Sequence, residues 1–436
     1  MSRAADKIMK NSVYSFLGFF WPLALSFFAM PILIHQLGLA EYGKFVLLNS
    51  AIGVVGLLDF GFSYTFIKNL SASFQNREDN QLNKIFGATI ILYFIISIIA
   101  LAAALLLLPF ALSMIKGLAI ASLQWRVFVI LGVSIFFKML SSPFISVPFA
   151  LQRQDVVAKI NMVNLTLSQL GGIAAVYAGL GLIGVLTAQM FAAIFVFFYF
   201  YWWKITHVPS LVFTARVDNE IYKMISINSF WVSASSFMNN LLSQWDKFIV
   251  GWFLGASSVT YYATAQMLPD KIQVTSMNMT QIFFPFFSNI NEKGGYELKN
   301  IFRRVFNFLI AIVSGLALTV LLFGGPFIKL WIGKEFDQQI KTTITVLTFA
   351  YILLAVYSFL GAFLNGVKMI KFGALAAGLM GTLDIFMCII LVPKLGIDGA
   401  AWAYLISVLP VPLFIIYIER HKKKLKILLV GTPLCC

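Results

Sequence analysis

Long apolar stretches follow one another almost without a break from residue 12 to residue 418. Twelve such windows can be marked, beginning at 12–35 and 46–68 and ending at 371–393 and 397–418. A helix needs roughly 20 apolar residues to cross a bilayer, so twelve crossings would take roughly 240 residues. That is more than half of a 436-residue chain. Only 11% of the residues are charged and 60% are hydrophobic, whereas a soluble domain carries about 25% charged residues. The pattern predicts an all-α polytopic membrane protein of about twelve transmembrane helices. It excludes an ordinary cytoplasmic enzyme, a disordered chain and a secreted disulfide scaffold. The first window is too long for a signal-peptide core and lacks a small-residue exit, so it is expected to remain in the mature chain.

The few charges set the orientation. Of 32 Lys and Arg residues, 22 fall on the N-terminus, the C-terminal tail and alternate loops, and 7 on the opposite loops. The positive-inside rule then predicts that both termini are cytoplasmic, which requires an even number of spans. The basic run Arg420-His421-Lys422-Lys423-Lys424 sits at the end of a span. It is better explained as an anchor against anionic headgroups than as a nucleic-acid site. Cys388, the terminal pair Cys435–Cys436 and three isolated histidines form no metal or nucleotide signature, so no metal or cofactor is expected. No loop is long enough for a soluble catalytic domain, which argues against an enzyme.

The longest cytoplasmic connection, 204–220, divides the spans six and six. It predicts an N-terminal lobe (1–207), a C-terminal lobe (208–418) and a basic tail (419–436). Across this divide the halves echo each other. Gly181-Leu-Ile-Gly184, followed by Ala188, recurs as Gly396-Ile-Asp-Gly399, followed by Ala403, at a constant offset of 215. Leu37-Gly38 recurs as Leu254-Gly255 at an offset of 217. Six spans per half give both repeats the same orientation. Two lobes related by a pseudo-two-fold axis along the membrane normal are therefore expected, with a site between them as in alternating-access transporters.

Polar residues inside the spans are the candidates for function. In the window 224–252, Ser226, Ser229, Ser233, Ser236, Asn240, Ser243 and Lys247 recur at alternating steps of three and four, which keeps one helix face polar throughout. Asn228, Ser235, Asn239 and Asp246 widen that face, and the amides and charge on it point to a water-filled cavity. Asn161, Asn164 and Ser168 mark another span. Thr264, Lys271, Thr275 and Asn278 mark a third, with Asp270 alongside. Ionisable groups at bilayer depth cost about 2.5 kcal/mol or more and are functional candidates by default. Lys138 and Lys271 both fall near mid-membrane, and Asp59 and Asp384 are similarly deep. Helix packing accounts for serines equally well, and the lysines could pair with Asp59 or Asp384 or snorkel to the interface. Taken together, two central lysines among hydroxyl and amide groups suit a phosphate bearing sugars. The substrate-binding candidates are Lys138, Lys271, Lys247, Asn240, Ser236, Asn278 and Asn164.

The stretch LGLAEYGKFVLLNSAIGVVGLLDFGFSYTFIKNLS resembles the signature region of bacterial polysaccharide (O-antigen) flippases. This is a group within the multidrug/oligosaccharidyl-lipid/polysaccharide exporter superfamily. The resemblance rests on Leu37, Gly38, Tyr42, Gly43, Gly56, Leu57, Asp59 and Gly61, and on the later segment PKLGIDGAAWAYLIS. It implies movement of an undecaprenyl-pyrophosphate-linked oligosaccharide from the cytoplasmic to the periplasmic leaflet of a bacterial inner membrane by alternating access. Proton or sodium coupling is implied as well, with Asp59, Asp270 and Asp384 as coupling or gating candidates. The implied partners are the lipid-linked oligosaccharide and membrane lipid, with no nucleic acid. A monomer is expected, working near polysaccharide polymerase and chain-length proteins. The competing reading is an ion-coupled small-molecule antiporter of the same superfamily.

Overall fold

A computed structural model describes residues 21–22, 24–55, 62–76, 79–113, 115, 125–214, 244–290, 295–333, 335–366 and 370–410. Among these residues all regular structure is helical. In chain order the helices are α1 (Ala24–Leu37), α2 (Leu39–Val55), α3 (Phe62–Asn76), α4 (Asp79–Ser113), α5 (Trp125–Ala150), α6 (Gln154–Tyr177) and α7 (Gly181–His207). They continue as α8 (244–254), α9 (Ala256–Ile290), α10 (Gly295–Trp331), α11 (Glu335–Gly366), α12 (Ile370–Leu395) and α13 (Ile397–Val408).

Six stretches are long and apolar enough to cross a membrane: Asn80–Phe110, Trp125–Ala150, Gly181–His207, Arg303–Trp331, Ile340–Gly361 and Leu375–Leu395. They bury little of themselves in protein. Leu106, Leu107, Phe323 and Leu330 are 63–91% exposed, as expected of side chains whose solvent is lipid. The helices also overrun the hydropathy windows that announce them. The window 46–68 covers parts of α2 and α3, which together reach from 39 to 76. α10, with 37 residues, would span about 55 Å at 1.5 Å per residue, against a hydrocarbon core of about 30 Å. Hydropathy reports contact with lipid, whereas the backbone goes on satisfying its own hydrogen bonds beyond the headgroups.

The chain forms two compact units, Met1–Ser236 and Phe237–Cys436. Each uses the same pairing scheme. In the first, α5 packs on α4 and α7, and α7 on α6. In the second, α11 packs on α10 and α13, and α13 on α12. The duplication extends to backbone conformation. Gly38 and Gly255 both take positive φ, +82° and +89°, and both N–H groups bond back to the carbonyl four residues earlier, Ile34 and Gly251, at 2.9 Å. Gly181 and Gly396 form a second matched pair, at φ +56° and +65°. Side chains rarely adopt this region and glycine does so freely, which explains why these positions repeat in the sequence.

The first unit has a continuous apolar core in which Phe66, Phe86, Phe144, Val147, Phe200 and Trp203 are almost wholly buried. The segment after α7 is fastened to it. Val208 and Leu211 enter this core, the Val212 N–H donates to Asn83 Oδ1 at 2.7 Å, and the Thr214 hydroxyl donates to the Asn83 carbonyl at 2.8 Å.

Candidate functional site

α6 and α9 are long enough to cross a bilayer but are not among the apolar spans. Their polar residues account for this, and these two helices carry three of the sequence-derived candidates. On α6, Asn164 is half-buried, and nearby Thr166 accepts a hydrogen bond from Trp21 Nε1 at 2.8 Å. On α9, one side is sealed against protein through Ala265, Ile272 and Ser276. The other side, with Asp270, Lys271, Val274, Thr275 and Asn278, keeps accessible surface. Asn278 is exposed and turns its Nδ2 to the Val274 carbonyl at 2.9 Å.

Lys138 lies midway along α5. Its side chain is exposed. Among the described residues no carboxylate lies within ion-pairing distance of it. Lys271 is different. Its Nζ reaches Asp270 Oδ2 at 3.3 Å, with both side chains a little over one third exposed. Residues adjacent in sequence do not share a helix face, but a lysine arm is long enough to fold back. Lys247 is half-buried, and its backbone N–H donates to Asp246 Oδ1 at 2.8 Å. Ser236, Asn240 and Asp59 lie outside the described residues.

Asp384, on α12, is completely buried. The Cys388 thiol lies 3.8 Å from its Oδ1, and its Oδ2 has no hydrogen-bond partner among the described residues. Asp246, on α8, is equally buried and lies within electrostatic range of Asp384. The polar face of the window 224–252 suggested that Asp246 would help line a cavity. Instead it is enclosed by donors: Tyr262 Oη at 2.8 Å, Gln266 Nε2 at 3.3 Å and the Lys247 N–H. Gln266 Nε2 also donates to Tyr351 Oη at 2.9 Å, and the Tyr351 ring stacks on Tyr404 with centroids 5.4 Å apart. These partners come from α9, α11 and α13. Sequence reading missed Gln266, Tyr351 and Tyr404 as a group because no periodicity links residues so far apart. Among the described residues, no three His, Cys, Asp or Glu side chains come together as a metal-binding set.

Comparison with known proteins follows the same lines. The "Putative O-antigen transporter" of Shigella flexneri is 22% identical over 432 residues, covering 92% of this chain and 95% of its own length. Among solved structures, an inward-facing multidrug-resistance MATE transporter of the MOP superfamily superposes with a TM-score of 0.78 at 14% identity, covering 94% of this chain and 98% of that one. The lipid II flippase MurJ, in an inward closed conformation, gives 0.70 at 16% identity, covering 95% and 89%. The fold is thus that of MOP-superfamily transporters, with two helical lobes, and not that of an enzyme. The model of the family described as "Polysaccharide biosynthesis protein" matches residues 32–341, and the chain belongs to that family.

Proposed function

We propose that this multi-pass membrane protein is a flippase that carries a polyprenyl-pyrophosphate-linked oligosaccharide from the cytoplasmic to the periplasmic leaflet of the bacterial inner membrane. The observation that carries the reading is Lys138, an accessible ammonium at mid-span that no acidic side chain among the described residues neutralises. An amine left in this state at bilayer depth is costly. A transient anionic headgroup is the partner that would repay that cost. Lys271 supplies a second cation, already compensated by Asp270, and Asn164 and Asn278 supply donors and acceptors for sugar hydroxyls. Family membership and the Shigella flexneri relative support the same substrate class.

Coupling to a proton or sodium gradient is assigned to the buried carboxylates of the second lobe. Asp384 was a sequence-derived candidate, and its unpartnered Oδ2 is the expected mark of a carboxyl that takes up a proton or cation. Asp246 joins it. Both termini are read as cytoplasmic from the Lys and Arg distribution.

The test is a deletion strain complemented with wild type or with the Lys138→Ala/Lys271→Ala double variant, in which lipid-linked intermediates are assigned to a leaflet. Accumulation on the cytoplasmic face, in the deletion and in a correctly inserted double variant, is the expected result. Normal surface glycan in the double variant would remove these lysines from the mechanism. Normal leaflet distribution in the deletion would remove the flippase itself.

A further inference from the structure

The Asp246 carboxylate is held by three groups, and one of them also bonds a third helix. Lys247 contributes a backbone N–H from the same helix, and Tyr262 contributes a hydroxyl from the first part of α9. Gln266 differs. Its single Nε2 contacts both Asp246 Oδ2, at 3.3 Å, and Tyr351 Oη, at 2.9 Å. A primary amide has two N–H donors, and here both are committed. Gln266 therefore ties α8 to α11 through α9. One helical turn further along α9 stands Asp270, which is within electrostatic range of Tyr351 and paired to Lys271. From there the accessible face of the helix runs on to Asn278. The contact between α9 and α11 continues beyond Gln266, since Gln273 Nε2 approaches Ser358 Oγ at 3.5 Å and Ser276 Oγ donates to the Ala355 carbonyl at 2.7 Å.

Hydrogen bonds to an ionised carboxylate are roughly twice as strong as those to a neutral group. When Asp246 is charged, the Gln266 amide is drawn towards it. When a proton or cation neutralises that charge, the tie weakens and Tyr351 becomes the better partner. The titratable groups around Asp246 are Lys247 on its own helix, Tyr262 on α9, Tyr351 on α11, Asp384 and Cys388 on α12, and Tyr404 on α13. Tyr351 is joined to Asp246 through a side-chain bridge from a third helix, and Gln266 is that bridge.

We infer that Gln266 is a positioning residue that transmits the charge state of Asp246 to the open face of α9 carrying Asp270, Lys271 and Asn278. The inference rests on the coupling reading above and adds the route by which coupling reaches the substrate side.

The test needs no substrate. In a full-length chain with Cys435 and Cys436 replaced by Ser and the buried Cys388 retained, a reporter thiol is introduced by Asn278→Cys. Its maleimide labelling rate is measured in membranes with and without sodium at constant ionic strength, and separately on acidification. Rates are normalised to a free small-molecule thiol, which removes the intrinsic pH dependence of the reagent. The expected change in the reporter background is roughly tenfold, the population shift that a single charge-assisted hydrogen bond can drive. Asp246→Asn should fix the rate at its ion-bound value. Gln266→Leu and the near-isosteric Tyr351→Phe should each abolish the ion response while the protein still inserts and labels. A structural defect alone would alter the rate equally in both conditions and leave the ratio intact. If the reporter background responds and Gln266→Leu responds to the same extent, the inference is overturned and the coupling reading stands. If the reporter background gives one rate in every condition, and Asp246→Asn gives that same rate, the coupling reading falls and the inference falls with it.

Discussion

Replacing Lys138 by Met separates a lysine kept for function from one kept for structure, because the two readings predict stability changes of opposite sign. Lys138 is the fourteenth residue of α5 (Trp125–Ala150), about 20 Å along the helix from Trp125 at 1.5 Å per residue. At the centre of a bilayer a lysine costs about 2.5–3.5 kcal/mol on insertion scales. The exposed side chain is long enough to snorkel, which repays part of that. Methionine keeps the unbranched aliphatic stem and removes the charge, so Lys138→Met should leave stability unchanged or raise it by up to about 2.5 kcal/mol. Were the ammonium held in a buried ion pair, removing one partner would instead cost about 3–5 kcal/mol. The gap between these outcomes exceeds the error of a thermal or denaturant comparison in detergent. The same strain, scored for surface glycan, should show severe loss, and Lys138→Arg should restore part of it because the charge is retained. A variant that is both stable and inactive is the pattern expected where stability has been given up for function. A loss on the order of 3 kcal/mol, or wild-type glycan in Lys138→Met, would refute the reasoning.

Three other outcomes follow from the packing. A Cβ at Gly399 would collide with the Leu391 carbonyl and stand 2.9 Å from the Val392 nitrogen, neither of which can swing aside, so Gly399→Ala should destabilise the second lobe by about 1–3 kcal/mol. Gly396→Ala meets nothing within 4 Å but must hold φ +65° with ψ −141°, close to a region that is essentially glycine-only and costs about 1–3 kcal/mol; thermal unfolding of both variants against the parent checks the two losses. A Cβ at Gly87 would strike the Thr214 carbonyl and lie 3.0 Å from its nitrogen. Gly87→Val, and more mildly Asn83→Ala, should therefore release the segment 208–214, read as faster proteolysis there in membranes with the rest of the chain intact. At the start of α6, the Arg153 guanidinium hydrogen-bonds Asp155 at 3.0 Å and holds that carboxyl below its ordinary range. Its contribution is complete at neutral pH, fades as pH falls towards the ordinary value of about 4, and vanishes below the lowered native value. With Arg153 about half exposed, the effect should stay under about 1 kcal/mol. Asp155→Asn should remove that acid sensitivity in a pH series of melting temperatures.

Much of this architecture could be read from the chain because its signals are local. Apolar run length announces a span, and glycines mark sites where φ turns positive. The repeated Leu-Gly and Gly-x-x-Gly elements therefore gave the duplication before any coordinates, and Gly38 with Gly255 confirms it in backbone geometry. The positions of Lys138, Lys271 and Asp384 along their helices were legible for the same reason. Pairing was not. That Lys271 meets Asp270, while Lys138 meets no acid among the described residues, depends on how long side chains fold and which helices neighbour them. Asp246 shows the limit most clearly. A helical-wheel reading placed it on a polar, open face, whereas Tyr262, Gln266, Tyr351 and Tyr404 converge from three other helices and close it in completely.

The duplication also shows where the two lobes part company. Taking the offset of 217 fixed by Gly38 and Gly255, the position corresponding to Asp246 is Ala29, to Tyr262 is Phe45 and to Gln266 is Asn49. At the offset of 215 fixed by Gly181 and Gly396, Tyr351 corresponds to Phe136, Asp384 to Gln169 and Tyr404 to Gln189. Both tyrosines that reach the Asp246–Gln266 pair are thus phenylalanines in the first lobe, with ring volume kept and the hydroxyl gone. Both carboxylates are replaced by uncharged residues. In the other direction, Lys138 corresponds to Leu353. The repeats share their glycine turns and helix pairings, which the fold requires of each, and differ in the polar groups, which it does not. A buried carboxylate cluster is expensive to maintain, as is an uncompensated amine. Among the described residues the carboxylate pair lies in the second lobe and the amine without an acidic neighbour in the first. Packing alone offers no reason for that division, since Phe45 and Phe136 show that the same frame forms without the hydroxyls. The division is what a carrier needs if one lobe supplies the free cation that attracts an anionic headgroup and the other binds the ion that drives it.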